Sequence, residues 1–198
     1  MRFAILCMVL PVCLLCRSGQ SAEIALKRIL NLRIESCEVT RAETMSNGVT
    51  EVEYVLRPST SSFIRCTLAL PSPGVWNGRF RGFGNGGPAG NVRMMSDQAL
   101  KGVAAAHTDM GTSRGAVTDE VILDFGYRAT HLMTVTAKAM TEAFFGRKIQ
   151  RSYFYGESTG GGQGFHEAIR YPEDYDGIIA GVLTDPENNI HTEFEPAL

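Results

Sequence analysis

Short runs of β-branched and aromatic residues, separated by polar turn sequences, mark the first half of the chain. Residues 52–57 and 63–70 have the composition of two strands, and the Pro-Ser-Thr-Ser-Ser sequence at 58–62 predicts the turn between them. Residues 79–83 and the small apolar residues 102–106 predict two further strands. The first half is therefore expected to contribute four strands.

The second half alternates between helical and strand patterns. Apolar residues recur at helical spacing over 127–145, and Gly146 stands where a helix commonly ends. The aromatic run 151–155 and the apolar run 176–182 predict strands, and residues 161–171 predict a helix between them. Strands and helices in this alternating order predict an α/β fold with a parallel sheet and right-handed crossovers.

The N-terminus has the pattern of a secretory signal peptide over residues 1–22. Arg2 supplies a positive charge, an apolar run of 13 residues extends over 3–15, and small or polar residues follow up to Ala22. The run is short for a membrane-spanning helix, which needs about 20 residues. Because Arg17 after the run is atypical of a signal peptide, a retained anchor stays open. We expect cleavage near Ala22 and a secreted or periplasmic protein.

Length and charge limit the remaining organisation. The chain has 198 residues, room for one ordinary domain, with 19 Lys and Arg against 21 Asp and Glu. Since there is no basic excess, neither nucleic acid nor a membrane surface is an expected partner. We expect one partial α/β domain over 23–182, and an irregular polar tail over 183–198.

The sequence Gly156-Glu157-Ser158-Thr159-Gly160 matches the G-x-S-x-G nucleophile elbow. A strand is predicted before the motif and a helix after it, which is the context that the elbow requires. The two glycines leave space for a tight turn that lifts the serine hydroxyl out of the sheet. We predict Ser158 as a nucleophile; an ordinary turn between strand and helix is the alternative.

A serine nucleophile that transfers acyl groups also needs an oxyanion hole. One donor is expected to be the backbone N–H of Thr159, the residue after the serine. The glycine-rich loop 84–87 is the candidate for the second donor, and Gly86 is the predicted residue. The alternative is that these glycines only form a turn.

The general base is harder to find. The order serine, acid, histidine leaves only His166 and His191 after the serine. His166 should point away from the serine because it lies on the helix that follows. His191 with Asp185 is in the right order, but only one strand is predicted between them and the elbow. Two earlier histidines are expected to be structural, His107 and His131.

Removal of residues 1–22 leaves two cysteines, Cys37 and Cys66. In an exported domain a lone pair of cysteines predicts one disulfide. Two buried, unpaired thiols are the alternative, and they would suit a cytosolic chain better.

Four stretches carry a more specific signal: 76–80 (Trp-Asn-Gly-Arg-Phe), the loop 84–87, the helix 131–146 and residues 153–181. Together they closely resemble the tannase and feruloyl esterase family. The continuation Arg-Tyr-Pro-Glu-Asp-Tyr-Asp-Gly at 170–177 separates this family from other hydrolases that share G-x-S-x-G. The resemblance covers residues 35–182.

The resemblance implies a secreted serine esterase that acts on small esters of phenolic acids, such as gallate and ferulate esters. It implies an α/β-hydrolase core with a large lid domain. Ser158 would form the acyl-enzyme, and Cys37 and Cys66 would match the family's N-terminal disulfide. The family's calcium site belongs to the lid, so no cofactor or metal is expected in this chain.

Two departures from the family pattern bear on activity. Family members usually have a cysteine before the nucleophile, bonded to a cysteine beside the catalytic histidine, and this chain has Glu157 there. The lid and the strands that carry the triad acid and histidine would follow residue 182. We therefore expect an incomplete α/β-hydrolase core, a fragment that is inactive alone. The alternatives are a truncated non-catalytic homologue and half of a two-chain enzyme.

Overall fold

The computed structural model describes residues 14–115 and 117–182, with side chains from Ala22 onward. Seven strands are present in this part: β1 (Cys37–Thr44), β2 (Thr50–Leu56), β3 (Ile64–Leu70), β4 (Arg79–Phe83), β5 (Val103–Thr108), β6 (Arg151–Glu157) and β7 (Gly177–Gly181). The α-helices are α1 (Leu14–Leu30), α2 (Ser96–Leu100), α3 (Asp119–Leu123), α4 (Ala129–Phe145) and α5 (Thr159–Arg170). A π-helical turn, Asp124–Arg128, joins α3 to α4.

All seven strands form one sheet in the order β1-β2-β3-β5-β4-β6-β7. The strands β5, β4, β6 and β7 are parallel to one another, β1, β2 and β3 are joined as antiparallel hairpins, and β3 pairs antiparallel with β5. Each parallel neighbour along this run is reached through a helix, as crossover connections require. The predicted α/β class, with a mostly parallel sheet and flanking helices, is confirmed.

The main core lies between one face of the sheet and the helices α1, α4 and α5. Apolar side chains from the central strands, Phe80 and Phe154, are buried there with Met133 and Phe144 of α4. Ile29 of α1 joins the same cluster at 1% exposure. Burial of these large side chains supplies most of the hydrophobic free energy that holds the helices on the sheet.

The opposite face of the sheet is covered only in part. Over β3 and β5, Met95 and Ala99 of the α2 region pack on Ala69 and Ala105. Over β6 and β7 the side chains are open to solvent, and Ile179 is 64% exposed. Parallel sheets are normally buried on both faces. The face over β6 and β7 is therefore the least covered part of the sheet among the described residues.

The predicted strands and helices are all present, with boundaries that shift by at most two residues. Two elements at the start of the chain were not predicted, namely α1 and β1. The β1 sequence Cys-Glu-Val-Thr-Arg-Ala-Glu-Thr has few apolar residues, because it is an edge strand that is paired only with β2. Its polar composition hides it from a search for apolar runs.

The predicted signal peptide and tail lie mostly outside the described residues. Residues 1–13 and 183–198 are among those not described. The rest of the signal peptide forms the first half of α1, which continues through the predicted cleavage position to Leu30. From Ala22 onward this helix packs on the core through Ala25 and Ile29. No helix of the described part is long and apolar enough to cross a membrane.

The predicted disulfide between Cys37 and Cys66 is wrong in this structure, because both thiols are free. Cys37 is paired with Leu56 of β2, and Cys66 is paired with Tyr54 of the same strand. The strand β2 therefore runs between the two cysteines, whose partners are two residues apart along it, and holds their backbones about 12 Å apart. Cα atoms more than about 7 Å apart cannot be bridged without backbone movement.

Candidate active site

The turn between β6 and α5 places Ser158 in a backbone conformation that few residues adopt. Its φ and ψ angles are 56° and −123°, while the residues on either side belong to regular elements. A positive φ is rare for a residue with a Cβ atom and persists only where the surroundings enforce it. The strain lies at the residue that the sequence motif singled out, which is the expected geometry of a nucleophile elbow.

The glycines of the motif are required by close backbone approach. A Cβ atom on Gly156 would lie 2.1 Å from the carbonyl oxygen of Gly160, and one on Gly160 would lie 2.9 Å from the carbonyl oxygen of Asn85. Gly84 faces the same point, since a Cβ there would lie 2.5 Å from the Cα of Gly160. Three glycines from two loops thus pack backbone against backbone beside Ser158.

Hydrogen bonds fix the glycine-rich loop 84–87 to the elbow. The Gly160 amide donates to the Asn85 carbonyl at 2.7 Å, and the Thr159 hydroxyl donates to the Gly87 carbonyl at 2.5 Å. The Gly84 amide donates to the Tyr155 carbonyl at 2.9 Å. The structure therefore brings together the two loops that were expected to supply oxyanion donors.

Gln163 adds a further hydrogen-bonded connection to the glycine-rich loop, and the sequence analysis did not identify this residue. Its side chain is 3% exposed on the first turn and a half of α5. The Oε1 atom accepts from the Asn85 amide at 2.7 Å, and the Nε2 atom donates to the Thr130 hydroxyl at 2.8 Å. A polar residue on an otherwise glycine-rich, buried helix face was the signal that could have identified it.

A cavity of about 400 Å³ opens beside the serine. Ser158, Glu157 and the loop residues Asn85 and Gly86 line one side of it. The remaining lining side chains are Phe83, Arg93, Met95 and Tyr155. The cavity combines aromatic and apolar walls with a few polar groups, which is typical of a site for a small molecule.

Glu157 lies on the open face of the sheet, directly before Ser158. It follows the exposed side chains Tyr153 and Tyr155 along β6. The Tyr155 hydroxyl donates to the Glu157 carboxylate, and this hydrogen bond raises the pKa of Tyr155. The residue that departs from the family pattern thus contributes a negative charge to the cavity.

Within the described residues, no histidine lines the cavity. His107 is buried on β5, where its ring contacts Arg93, and burial lowers its pKa to about 4. The Nδ1 atom of His131 lies 2.7 Å from Oδ2 of Asp174, on the opposite side of the sheet from the cavity. His166 is half-buried on α5. The candidate pair of Asp185 and His191 lies outside the described residues.

A scan of protein families matches residues 43–189 to the family described as tannase and feruloyl esterase. This is most of the chain. The chain belongs to the tannase and feruloyl esterase family. The family resemblance that the sequence indicated is confirmed.

Curated relatives of this family member include a probable feruloyl esterase from Arthroderma benhamiae, 39% identical over 127 residues, which cover 57% of this chain and 24% of the relative. A probable feruloyl esterase B-2 from Aspergillus flavus is 38% identical over 129 residues, covering 62% of this chain and 25% of the relative. The chain therefore spans about a quarter of the length of these relatives.

Solved structures agree on the fold. Feruloyl esterase B from Aspergillus oryzae superposes with a TM-score of 0.73 at 26% identity, over 83% of this chain and 37% of that chain. The tannin acyl hydrolase from Aspergillus niger superposes with a TM-score of 0.63 at 20% identity, over 83% and 36%. Because the tannin acyl hydrolase is only 20% identical to this chain, that similarity shows the fold alone.

Proposed function

We propose that this protein is a serine carboxylic-ester hydrolase that acts on esters of phenolic acids. The strained backbone of Ser158, held between β6 and α5, is the observation that carries this proposal. Membership of the family and the relatives named as feruloyl esterases support the substrate class. The aromatic wall formed by Phe83 and Tyr155 is suited to a phenolic ring.

In the proposed reaction the Ser158 hydroxyl oxygen attacks the carbonyl carbon of the ester while its proton passes to a general base. The carbonyl oxygen becomes an oxyanion, which the backbone N–H groups of Thr159 and Gly86 stabilise. The C–O bond of the ester then breaks, and the alcohol leaves with the proton from the base. Water hydrolyses the acyl-enzyme, releases the phenolic acid and restores the hydroxyl of Ser158.

The general base and the carboxylate that orients it are proposed to come from outside the described residues. The chain spans about a quarter of its curated relatives, and no histidine of the described residues lines the cavity. A longer polypeptide that carries this sequence, or a second chain, would supply both groups. The lid with its calcium site would lie in the same missing part, so no step here involves that ion.

A second candidate is a non-catalytic homologue that binds small aromatic molecules in the same cavity. The position of Glu157 favours it, because a carboxylate beside the nucleophile raises the cost of forming the oxyanion. In either case we propose export to the periplasm or the medium, which the apolar run at 3–15 supports.

A fluorophosphonate probe tests the two candidates, because it reacts covalently with an activated serine. The probe is added to the 198-residue chain and to the longest natural polypeptide that carries it, with methyl ferulate hydrolysis measured in parallel. Labelling and hydrolysis that disappear in Ser158→Ala, but survive in the exposed-loop control Ser61→Ala, support the esterase. Hydrolysis that survives Ser158→Ala would show that the assigned nucleophile is wrong.

Labelling of neither polypeptide, with a folded protein, would favour the binding homologue. Saturable binding of ferulate to the chain would then be expected, and Tyr155→Ala should weaken it. Labelling of the long polypeptide alone would show that the base lies outside the 198 residues.

A further inference from the structure

Three side chains from separate elements meet at one point on the helical side of the sheet. His131 lies in the first turn of α4, Glu167 in the last turns of α5, and Asp174 in the segment that leads into β7. One ligand atom of each lies within 4.8 Å of the ligand atoms of the other two. Glu167 is eight residues beyond the start of α5, about 12 Å along the helix from the elbow, so the cluster is separate from the candidate active site.

Glu167 is the unexplained member of this cluster. It is 1% exposed, and neither of its carboxylate oxygens has a hydrogen-bond partner among the described residues. A buried carboxylate without a partner is costly, because it has lost its hydration and gained nothing in return. The second acid, Asp174, is only 8% exposed and adds another negative charge to the same place.

The neighbouring cation does not neutralise these two acids by direct contact. Lys138 is close enough to feel both charges, yet its ammonium group donates to the backbone carbonyl of Asp174. In the described part of the chain, neither carboxylate forms an ion pair with a lysine or an arginine. A positive charge between them, carried by a proton or by a metal ion, would offset their repulsion.

His131 is held in an orientation that suits a metal ligand. Its ring is stacked on Tyr171 with 3.7 Å between ring centres and 11° between planes. Its Nδ1 atom lies 2.7 Å from Oδ2 of Asp174. The stacked tyrosine leaves the ring little freedom to turn, so the imidazole is fixed beside the two carboxylates.

The geometry points to a binding site for one divalent first-row transition-metal ion such as Mn²⁺, held by His131, Glu167 and Asp174. One imidazole and two carboxylates form a mixed donor set, which suits such ions better than an all-oxygen set would. The ion would supply the missing positive charge beside Glu167. It would join α4, α5 and the 171–176 segment, a structural role.

Such an ion would also bear indirectly on the elbow. The 171–176 segment leads into β7, and the carbonyl of Gly181 at the end of β7 accepts from the amide of Ser158 at 3.1 Å. Fixing the start of β7 therefore helps to fix a hydrogen bond of the nucleophile turn. The metal proposal does not rest on the proposed esterase function, and its tests need no ester.

The first test is a titration of the chelator-treated 198-residue chain with MnCl₂, with free Mn²⁺ followed by electron paramagnetic resonance. Mn²⁺ is chosen because it prefers oxygen and nitrogen donors, so binding cannot be assigned to the cysteines. We expect one bound ion per chain and a higher midpoint of thermal unfolding. Mn²⁺ that stays free, with an unchanged midpoint, would overturn the proposal.

The second test uses Glu167→Gln, which keeps the shape of the side chain and removes its charge. Loss of a ligand should weaken Mn²⁺ binding at least about tenfold. The control is Glu173→Gln, an exposed acid next to Asp174, which should bind as the wild type does. His131→Gln, at a partly exposed position, provides the same readout if the first variant does not fold.

Equal Mn²⁺ affinity in Glu167→Gln and the wild type would place the ion elsewhere and overturn the assignment. The alternative occupant of the cluster is a proton that Glu167 shares with Asp174. It predicts no bound Mn²⁺, and a Glu167→Gln variant that unfolds at the same or a higher temperature than the wild type.

Discussion

The Gln163 side chain accepts a hydrogen bond from the backbone amide of Asn85 at 2.7 Å. Gln163 lies on α5, directly after the turn at Ser158, and Asn85 lies in the loop that carries the proposed oxyanion donor Gly86. This buried side-chain amide adds to the backbone hydrogen bonds that already join the glycine-rich loop to the elbow. The Nε2 atom of Gln163 donates to the Thr130 hydroxyl on α4, so one side chain links the glycine-rich loop, α5 and α4.

Gln163→Met should loosen the glycine-rich loop without changing the volume of the core. The Asn85 amide would be left buried and unpaired, which costs about 1–3 kcal/mol. We expect that loss in urea unfolding and slower fluorophosphonate labelling of the long polypeptide. The exposed Gln150→Met variant is the control. Labelling at the wild-type rate in Gln163→Met would show that the loop holds its position without this bond.

Gly156→Ala should disrupt the elbow. The new methyl group would lie 2.1 Å from the Gly160 carbonyl oxygen, and backbone cannot move aside as a flexible side chain can. We expect a loss of about 3 kcal/mol or more in the free energy of unfolding. Gly126→Ala, where nothing lies within 4 Å of the added atom, should be neutral or slightly stabilising. Similar stabilities for the two variants would contradict the close packing.

His107 should make the fold less stable in mild acid. Burial, with the positive charge of Arg93, lowers its pKa from the usual 6.5 to about 4. Below pH 6.5 the unfolded chain takes up a proton that the folded chain refuses until about pH 4. The contribution of neutral His107 to the free energy of unfolding is therefore complete above pH 6.5. It falls by about 3 kcal/mol between pH 6.5 and 4.

The measurement is the free energy of unfolding at several pH values in that window, for the wild type and for His107→Gln. The variant should lose most of the slope, since glutamine does not titrate there. His166→Gln, at a half-buried position with a smaller change of environment, should keep most of it. An unchanged slope in His107→Gln would assign the effect to other groups.

Cys37 and Cys66 should react as slow free thiols. Burial raises the pKa of the Cys37 thiol to about 11 and that of Cys66 still further, so little thiolate is present at neutral pH. Alkylation without a reductant should modify both cysteines in denaturant and neither of them quickly in the native protein. Peptide mass spectrometry measures this. A linked peptide containing both residues would restore the disulfide that the sequence predicted.

The parallel core of this protein was predictable because its signals are local. The strand 151–157, its G-x-S-x-G turn and the helix after it are consecutive in sequence, and each depends on the residues present there. The family resemblance also depends on such consecutive stretches, and the family match to residues 43–189 confirmed it. The edge strand β1 was missed because exposed edges carry few apolar residues.

The disulfide prediction shows the limit of local reasoning. Two cysteines in an exported chain suggest a bond, yet the spacing along the chain gives no distance between them. Only the order β1-β2-β3 shows that a strand separates Cys37 from Cys66.

The sequence by itself determined the alternation of strands and helices, the tight turn at Ser158 and the family, since all three depend on residues that are close along the chain. The tertiary structure alone decided which distant groups meet. It placed Gln163 under the glycine-rich loop, and it brought His131, Glu167 and Asp174 to one buried point. Such contacts depend on how helices cross the sheet, and no periodicity along the chain records that crossing.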